Sequence, residues 1–192
     1  MITDWLRGRT RGVVDSIAAV LHRLGLTPNA LTLIGTAFMV GIGFLLSQGQ
    51  LVVGGLLLAG AAAFDALDGG LARLTNRVTK FGAFLDSTTD RWAEAAVYGG
   101  LLWWYMSQQA QTEAMLVYAG IIGSILVSYT RARAEGLNIE CKVGLFTRFE
   151  RIVVLVLGLL TGYMWVALVL LAVLSNATAI QRIWHVYVQL EK

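Results

Sequence analysis

Four aspartates in the first half of the chain have a spacing that suits divalent-metal chemistry. Asp65 and Asp68 are three residues apart, and Asp86 and Asp90 are four apart. On an α-helix, residues three or four apart lie on one face. Both pairs fall in apolar stretches, where an ionised carboxylate costs on the order of 2.5–3.5 kcal/mol on membrane-insertion scales. We therefore expect these carboxylates to be kept for a function.

The segment between the two pairs predicts a helical hairpin that brings them together. If the turn is centred near residues 77–78, Asp68 and Asp86 are almost equidistant from it. The same holds for Asp65 and Asp90. The two levels would be about 6 Å apart, at about 1.5 Å rise per residue. Converging carboxylates repel one another unless protons or cations neutralise them, and hard oxygen ligands favour Mg²⁺, with Mn²⁺ as the alternative.

Small and basic residues beside the aspartates favour a phosphate ligand. Gly69 and Ala72 would let a ligand approach the helix backbone, and Arg73 can clamp a phosphate with its guanidinium. Aspartates that only cap helices or snorkel to the surface are the simpler alternative. An ion or proton transporter also buries carboxylates in helices, but it would not need Ala72, Arg73 and Gly82 at these spacings. A purely structural membrane subunit does not explain the pairing.

The composition predicts that a membrane protein positions these residues. Of 192 residues, 57% are hydrophobic and only 14% are charged, whereas a soluble domain has about 25% charged residues. The mean hydropathy is +0.67. The single cysteine, Cys141, cannot form an intramolecular disulfide, and no Cys/His cluster offers a zinc site. We expect one all-α membrane domain over residues 1–192, with membrane lipids rather than nucleic acid around it.

Apolar runs of spanning length, about 20 residues, predict six transmembrane helices. They fall at roughly 30–48, 51–73, 82–106, 114–134, 148–161 and 163–187. Residues 28–192 are thus expected to form a six-helix bundle. Residues 1–27 are too polar for a signal peptide. Their apolar positions recur at helical spacing, which predicts an amphipathic helix at the membrane surface, with a solvated helix as the alternative.

The positive charges alternate between the two ends of the predicted spans. Lys and Arg cluster before the first span, in the second link, around the fourth link and at the C-terminus, whereas the links 47–50, 107–113 and 161–163 contain none. The positive-inside rule then predicts a multi-pass protein of the cell (cytoplasmic) membrane, with both termini in the cytoplasm. The aspartates flank the link at 74–81, so the active site is expected on the cytosolic side.

The segment that carries the aspartates resembles the signature of the CDP-alcohol phosphotransferase family. It reads DALDGGLAR over 65–73, then eight residues, then GAFLDSTTD over 82–90, and it matches in every defining position. The resemblance implies phospholipid biosynthesis: a phosphatidyl group passes from CDP-diacylglycerol, or an ether-lipid equivalent, to an alcohol, and CMP is released. It also implies a homodimer.

The same resemblance assigns roles to individual residues. Asp65, Asp68 and Asp86 would hold two divalent ions, and Asp90 would be the catalytic base and a further metal ligand. The implied CDP-lipid-binding residues are Pro28, Asn29, Thr32, Asp65, Asp68, Gly69, Ala72, Arg73 and Gly82. We expect a direct in-line displacement, because no Ser, Cys or His stands out as an activated nucleophile.

Three later stretches, 85–94, 128–137 and 144–151, resemble the inositol-phosphate branch of this family, which comprises bacterial phosphatidylinositol-phosphate synthases and their archaeal counterparts. The implied acceptor is a phosphorylated polyol, inositol phosphate first, with glycerol 3-phosphate and serine as alternatives. The implied phosphate-binding residues are Ser128, Arg131, Arg148 and Arg151. Arg148 and Arg151 share a helical face and would attract an anionic acceptor. Ordinary positive-inside topology is the alternative explanation for any one of these arginines.

Overall fold

The computed structural model of the protein describes the backbone of residues 26–74 and 79–191, and the side chains of the same ranges except 63–74. Regular structure in these ranges is entirely helical, which confirms the all-α prediction. In chain order the helices are α1 Pro28–Ser47, α2 Leu51–Leu74, α3 Lys80–Ser107, α4 Gln111–Glu135, α5 Arg148–Thr161 and α6 Met164–Leu190. The predicted N-terminal amphipathic helix lies outside the described residues.

Local hydrogen bonds explain where several helices begin and end. Before α1, the Thr27 hydroxyl accepts a hydrogen bond from the backbone N–H of Ala30 at 3.2 Å. Before α3, the Thr79 hydroxyl accepts one from the backbone N–H of Gly82 at 2.9 Å. Each satisfies a donor that the first turn of a helix leaves unpaired. Helix α5 is capped at its C-terminus by Gly162, whose φ of +80° lies in the left-handed region that glycine adopts without a steric penalty.

The described residues divide into two compact units. The first contains those up to Gly41 and those of Gly60–Ala93, and the second contains Ile42–Ala59 and the chain from Glu94 onward. In the second unit, α6 packs along α4 and also against α5. Its core is built from side chains that are almost fully buried, among them Val97, Leu101, Val117, Leu159, Leu168 and Leu171.

Glycines bring the end of α1 and the middle of α3 into backbone contact within the second unit. A Cβ added at Gly100 would lie 2.7 Å from the carbonyl carbon of Gly43. A Cβ added at Gly43 would lie 2.8 Å from the carbonyl carbon of Ala96. Small residues allow helices to approach this closely in a membrane, where packing rather than the hydrophobic effect holds helices together.

Three of the described helices are long and apolar enough to cross a membrane, namely α1, α4 and α6. Large apolar side chains such as those of Phe44, Trp103 and Ile180 are exposed, as lipid-facing residues would be. The structure is therefore consistent with a membrane protein. By length and composition it supports three of the predicted spans rather than all six.

Candidate active site

Helix α3 carries two of the predicted metal ligands on one face. Asp86 and Asp90 are one helical turn apart and both are partly buried. The Asp90 side chain is 15% exposed, and its Oδ2 lies 3.5 Å from Nη1 of Arg91. The same Nη1 donates a 2.5 Å hydrogen bond to the backbone carbonyl of Ser87, which holds the guanidinium along the helix. The two carboxylates thus lie on the same face of α3, and both are partly shielded from solvent.

The hydroxyl residues between these carboxylates are used by the helix itself. Ser87 and Thr88 both donate to the carbonyl of Phe84, at 2.9 and 2.8 Å. Thr89 donates to the carbonyl of Leu85 at 2.9 Å. Such bonds to the preceding turn are common for Ser and Thr in apolar helices. The carboxylates are therefore the groups of this stretch that suit a cation.

The start of α1 lies beside the start of α3 in the first unit. A Cβ added at Gly82 would lie 3.2 Å from Oδ1 of Asn29, so the structure brings together two predicted CDP-lipid-binding residues. Pro28 is the first residue of α1, and the Thr32 hydroxyl donates to its carbonyl at 3.1 Å. A Cβ there would also lie 3.0 Å from the Thr79 hydroxyl oxygen, so two polar groups border this glycine.

The other predicted ligands of the metal and the donor lie on α2, and their side chains are outside the described part. These residues are Asp65, Asp68, Gly69, Ala72 and Arg73. The convergence of four aspartates therefore stays a prediction. Among the described side chains, no group of three or more His, Cys, Asp and Glu residues forms a metal cluster. The oxygen-only pair of Asp86 and Asp90 fits a hard cation such as Mg²⁺ or Mn²⁺, and the α2 pair would add the carboxylates that a full coordination shell requires.

The second unit contains a buried ion pair at the start of α5. Arg151 is 2% exposed, and its Nε lies 3.0 Å from Oε1 of Glu94 on α3. Its Nη2 donates to Oε2 of the same glutamate at 3.3 Å, so the contact is bidentate. Nη1 of Arg151 is also buried and has no hydrogen-bond partner among the described residues. Glu94 is not among the site residues predicted from the sequence, although an ionisable residue inside a predicted span is by itself a functional indication.

The remaining predicted acceptor-binding residues are more exposed than Arg151. Arg131 is exposed at the end of α4, where its Nε pairs with Oε1 of Glu135 at 2.8 Å. Ser128 lies one turn earlier on α4 and is partly buried. Arg148 is the first residue of α5 and is also partly buried. The prediction that Arg148 and Arg151 share a helix face holds, but the structure buries only Arg151 deeply.

A second buried arginine, Arg182 of α6, fixes the connection between α4 and α5. It is 4% exposed. Its Nε donates to the carbonyl of Val143 at 2.9 Å and its Nη1 donates to the carbonyl of Val127. Gly144 has φ +151°, and a Cβ there would lie 3.1 Å from Nη2 of Arg182. From the sequence alone, this arginine cannot be distinguished from the positive charges that flank membrane spans on the cytoplasmic side. Its hydrogen-bond acceptors are backbone carbonyls, which leave no mark in the sequence.

The chain belongs to the CDP-alcohol phosphatidyltransferase family, since residues 25–184 match that family, and it is a transferase. An archaetidylinositol phosphate synthase of Pyrococcus horikoshii is 35% identical over 192 residues, with 97% of each chain covered. A phosphatidylinositol phosphate synthase of Corynebacterium glutamicum is 38% identical over 182 residues, covering 89% of this chain and 82% of the relative. The family predicted from the aspartate signature is therefore confirmed.

Solved structures of one enzyme share the fold. The crystal structure of Mycobacterium tuberculosis phosphatidylinositol phosphate synthase with CDP-DAG bound has a TM-score of 0.87 at 33% identity, and covers 91% of this chain and 94% of that one. The crystal structure of the same enzyme in complex with manganese and citrate also has a TM-score of 0.87, and covers 91% and 88%. The similarity extends over nearly the whole chain.

Proposed function

We propose that the protein transfers a phosphatidyl-type group from a CDP-linked lipid to inositol phosphate, releasing CMP. The observation that supports inositol phosphate as the acceptor is the buried guanidinium of Arg151. Glu94 pairs with this guanidinium, and Nη1 of Arg151 has no partner among the described residues. A phosphate oxygen suits such a nitrogen, because charge-assisted hydrogen bonds from arginine to phosphate are strong and directional. The names of the two relatives, both synthases of inositol-phosphate lipids, support the same acceptor.

Asp65, Asp68, Asp86 and Asp90 are proposed to hold two divalent ions, Mg²⁺ or Mn²⁺. The support is the partly buried pair on α3 and the manganese in the similar crystal structure. When bound, such ions supply Lewis-acid polarisation of the donor's diphosphate and stabilise negative charge on the leaving group.

Asp90 is proposed as the general base. It accepts the proton of an acceptor hydroxyl while that oxygen attacks the phosphorus on the lipid side of the diphosphate. The bond between this phosphorus and the oxygen that bridges it to CMP breaks in the same displacement, so CMP leaves and the lipid phosphate is joined to the acceptor. The low exposure of the Asp90 side chain, 15%, limits the access of bulk water to this step.

The remaining predicted residues are proposed to hold the two substrates. Pro28, Asn29, Thr32, Gly69, Ala72, Arg73 and Gly82 would bind the cytidine diphosphate part of the donor. The proximity of Asn29 to Gly82 supports this role, because it places an amide group beside a residue that has no side chain to obstruct a ligand. Ser128, Arg131, Arg148 and Arg151 would bind the phosphate of the acceptor.

We further propose that all six helices are membrane-embedded. Residues 1–27 would form a surface helix, and both termini and the active site would be cytosolic. The alternating positive charges and the exposed apolar side chains support this topology. A homodimer is proposed from the family resemblance.

The proposal is tested with an acceptor panel. The purified protein is incubated in detergent with CDP-diacylglycerol, or its ether-linked equivalent, and Mg²⁺ or Mn²⁺. CMP release is then measured with inositol phosphate, inositol, glycerol 3-phosphate and serine. We expect metal-dependent release that is fastest with inositol phosphate. Faster release with glycerol 3-phosphate or serine would contradict the proposed acceptor, and metal-driven ion flux without CMP release would indicate a transporter.

A further inference from the structure

The geometry of the Glu94–Arg151 pair fixes the orientation of a guanidinium. A guanidinium presents five N–H donors in one plane. The carboxylate of Glu94 takes the edge formed by Nε and Nη2, at 3.0 and 3.3 Å. This side-on contact sets the plane of the group and turns Nη1 away from Glu94. Because Arg151 is 2% exposed, Nη1 cannot be satisfied by bulk water.

A second polar group near this pair also has no partner among the residues described. Tyr98 lies one turn beyond Glu94 on α3 and is 1% exposed, and its hydroxyl is buried without a hydrogen-bond partner. Buried polar atoms are nearly always hydrogen-bonded. Arg151 and the helix neighbour of its partner Glu94 thus each have a buried polar atom without a partner among the described residues, which favours a polar ligand here over apolar packing.

We propose that Glu94 is a positioning residue for the acceptor: it holds the guanidinium of Arg151 so that Nη1 faces the acceptor's phosphate. This inference rests on the proposed function, because it takes Arg151 to be a phosphate-binding residue. A carboxylate next to a phosphate site cancels charge and weakens attraction, so Glu94 would help acceptor binding by orienting Arg151 and not by its charge. Glu94 would therefore set acceptor affinity without touching the acceptor.

The alternative role for Glu94 is structural, as a counter-charge that allows Arg151 to be buried. The two roles predict different kinetics. A counter-charge affects the yield and melting temperature of the protein and leaves the acceptor KM unchanged. A positioning residue changes the KM for inositol phosphate but leaves the KM for the CDP-lipid unchanged.

The experiment compares the wild type with Glu94→Gln, Arg151→Gln and the double variant, by CMP release under varied inositol phosphate and varied CDP-diacylglycerol. In Glu94→Gln the amide group faces Nη2 of Arg151 donor to donor, so the bidentate contact is lost. We expect the KM for inositol phosphate to rise about tenfold or more, the scale of one hydrogen bond to a charged group. The double variant should have the same acceptor KM as Arg151→Gln, because Glu94 acts through Arg151.

Controls separate this effect from general damage. Glu113→Gln, the same substitution in the first turn of α4, should leave both KM values unchanged. Glu94→Asp keeps the charge on a shorter side chain and should raise the acceptor KM less than Glu94→Gln. If Glu94→Gln cannot be purified in a folded form, Glu94→Asp carries the test against the wild type.

Three results would overturn the inference. The first is an unchanged acceptor KM in the Glu94 variants. The second is a double variant in which the increases in acceptor KM caused by Glu94→Gln and Arg151→Gln multiply. The third is a KM for CDP-diacylglycerol that rises in Glu94→Gln as much as the acceptor KM does. In all three the wild type still prefers inositol phosphate, so the proposed function stands. A wild type that does not use inositol phosphate overturns the proposed function and this inference together.

Discussion

Replacing Gly100 with alanine is expected to destabilise the protein strongly. The new Cβ would lie 2.7 Å from the carbonyl carbon of Gly43 and 3.0 Å from its Cα. Carbon atoms in contact prefer about 3.5–4.0 Å, and the carbonyl oxygen of Gly43 would be closer to the new Cβ than either carbon. Helices α1 and α3 would therefore have to separate locally by at least about 0.8 Å. Overpacking of this kind costs about 1–3 kcal/mol, and here no rotamer change can relieve it because the clash is with backbone. The better helix propensity of alanine returns about 1 kcal/mol.

Subtracting that gain from the upper end of the overpacking range predicts a net loss of about 2 kcal/mol for Gly100→Ala. For a chain of this size each kcal/mol lowers Tm by about 2–4 °C, so we expect a fall of about 4–8 °C. The assay is thermal unfolding of the purified protein in detergent, followed by tryptophan fluorescence.

The matched control for this prediction is the adjacent residue. A Cβ added at Gly99 meets no atom within 4 Å, so Gly99→Ala should have a Tm no lower than that of the wild type. Equal Tm values for Gly100→Ala and Gly99→Ala would refute the close backbone approach of α1 and α3.

The remaining predictions concern catalysis, donor binding and loop anchoring. Asp90→Asn should reduce turnover by about 10²–10⁴-fold, the usual loss with a general base, while CDP-diacylglycerol still binds in a direct binding assay. Gly82→Ala puts a methyl group 3.0 Å from the Thr79 hydroxyl oxygen and 3.2 Å from Oδ1 of Asn29, so the KM for CDP-diacylglycerol should rise while that for inositol phosphate stays constant. Arg182→Gln removes the hydrogen bonds that the guanidinium donates to the carbonyls of Val143 and Val127 and should cost about 1–3 kcal/mol of stability, measured as a lower Tm.

Each of these three substitutions has a contradicting result, and two of them have a matched control. Normal turnover by Asp90→Asn would refute its role as base. Gly35→Ala, where an added Cβ meets nothing within 4 Å, is the control for Gly82→Ala. An unchanged donor KM in Gly82→Ala would mean that this position does not border the donor. Lys142→Gln removes an exposed charge from the connection that Arg182 anchors, and if it lowered Tm as much as Arg182→Gln, the anchoring role would be wrong.

Local patterns in the sequence were sufficient to predict most of the helical framework. Helix α5 begins and ends where the apolar run 148–161 does, and α2 differs from the run 51–73 by one residue. Such runs are informative because a helix in lipid satisfies its backbone internally and needs only apolar length. The aspartate signature was equally informative, because spacing along one helix fixes which side chains share a face.

Contacts between distant parts of the chain could not be predicted in this way. Glu94 and Arg151 are 57 residues apart, and no local pattern in either helix names the other as its partner. Arg182 binds backbone carbonyls, which every residue carries, so its partners leave no sequence signature. The approach of Gly43 to Gly100 likewise depends on which helices are neighbours, and glycine alone does not determine that.

The measurement that tests the central role of the aspartates most directly is a Mn²⁺ titration of the purified protein followed by electron paramagnetic resonance. We predict that the wild type binds Mn²⁺ and so lowers the free-ion signal, and that Asp86→Asn binds Mn²⁺ much more weakly. We also predict that Asp86→Asn does not release CMP, and that a chelator abolishes CMP release by the wild type. Equal Mn²⁺ binding by Asp86→Asn, or CMP release that continues in excess chelator, would contradict a metal-dependent transferase built on these carboxylates.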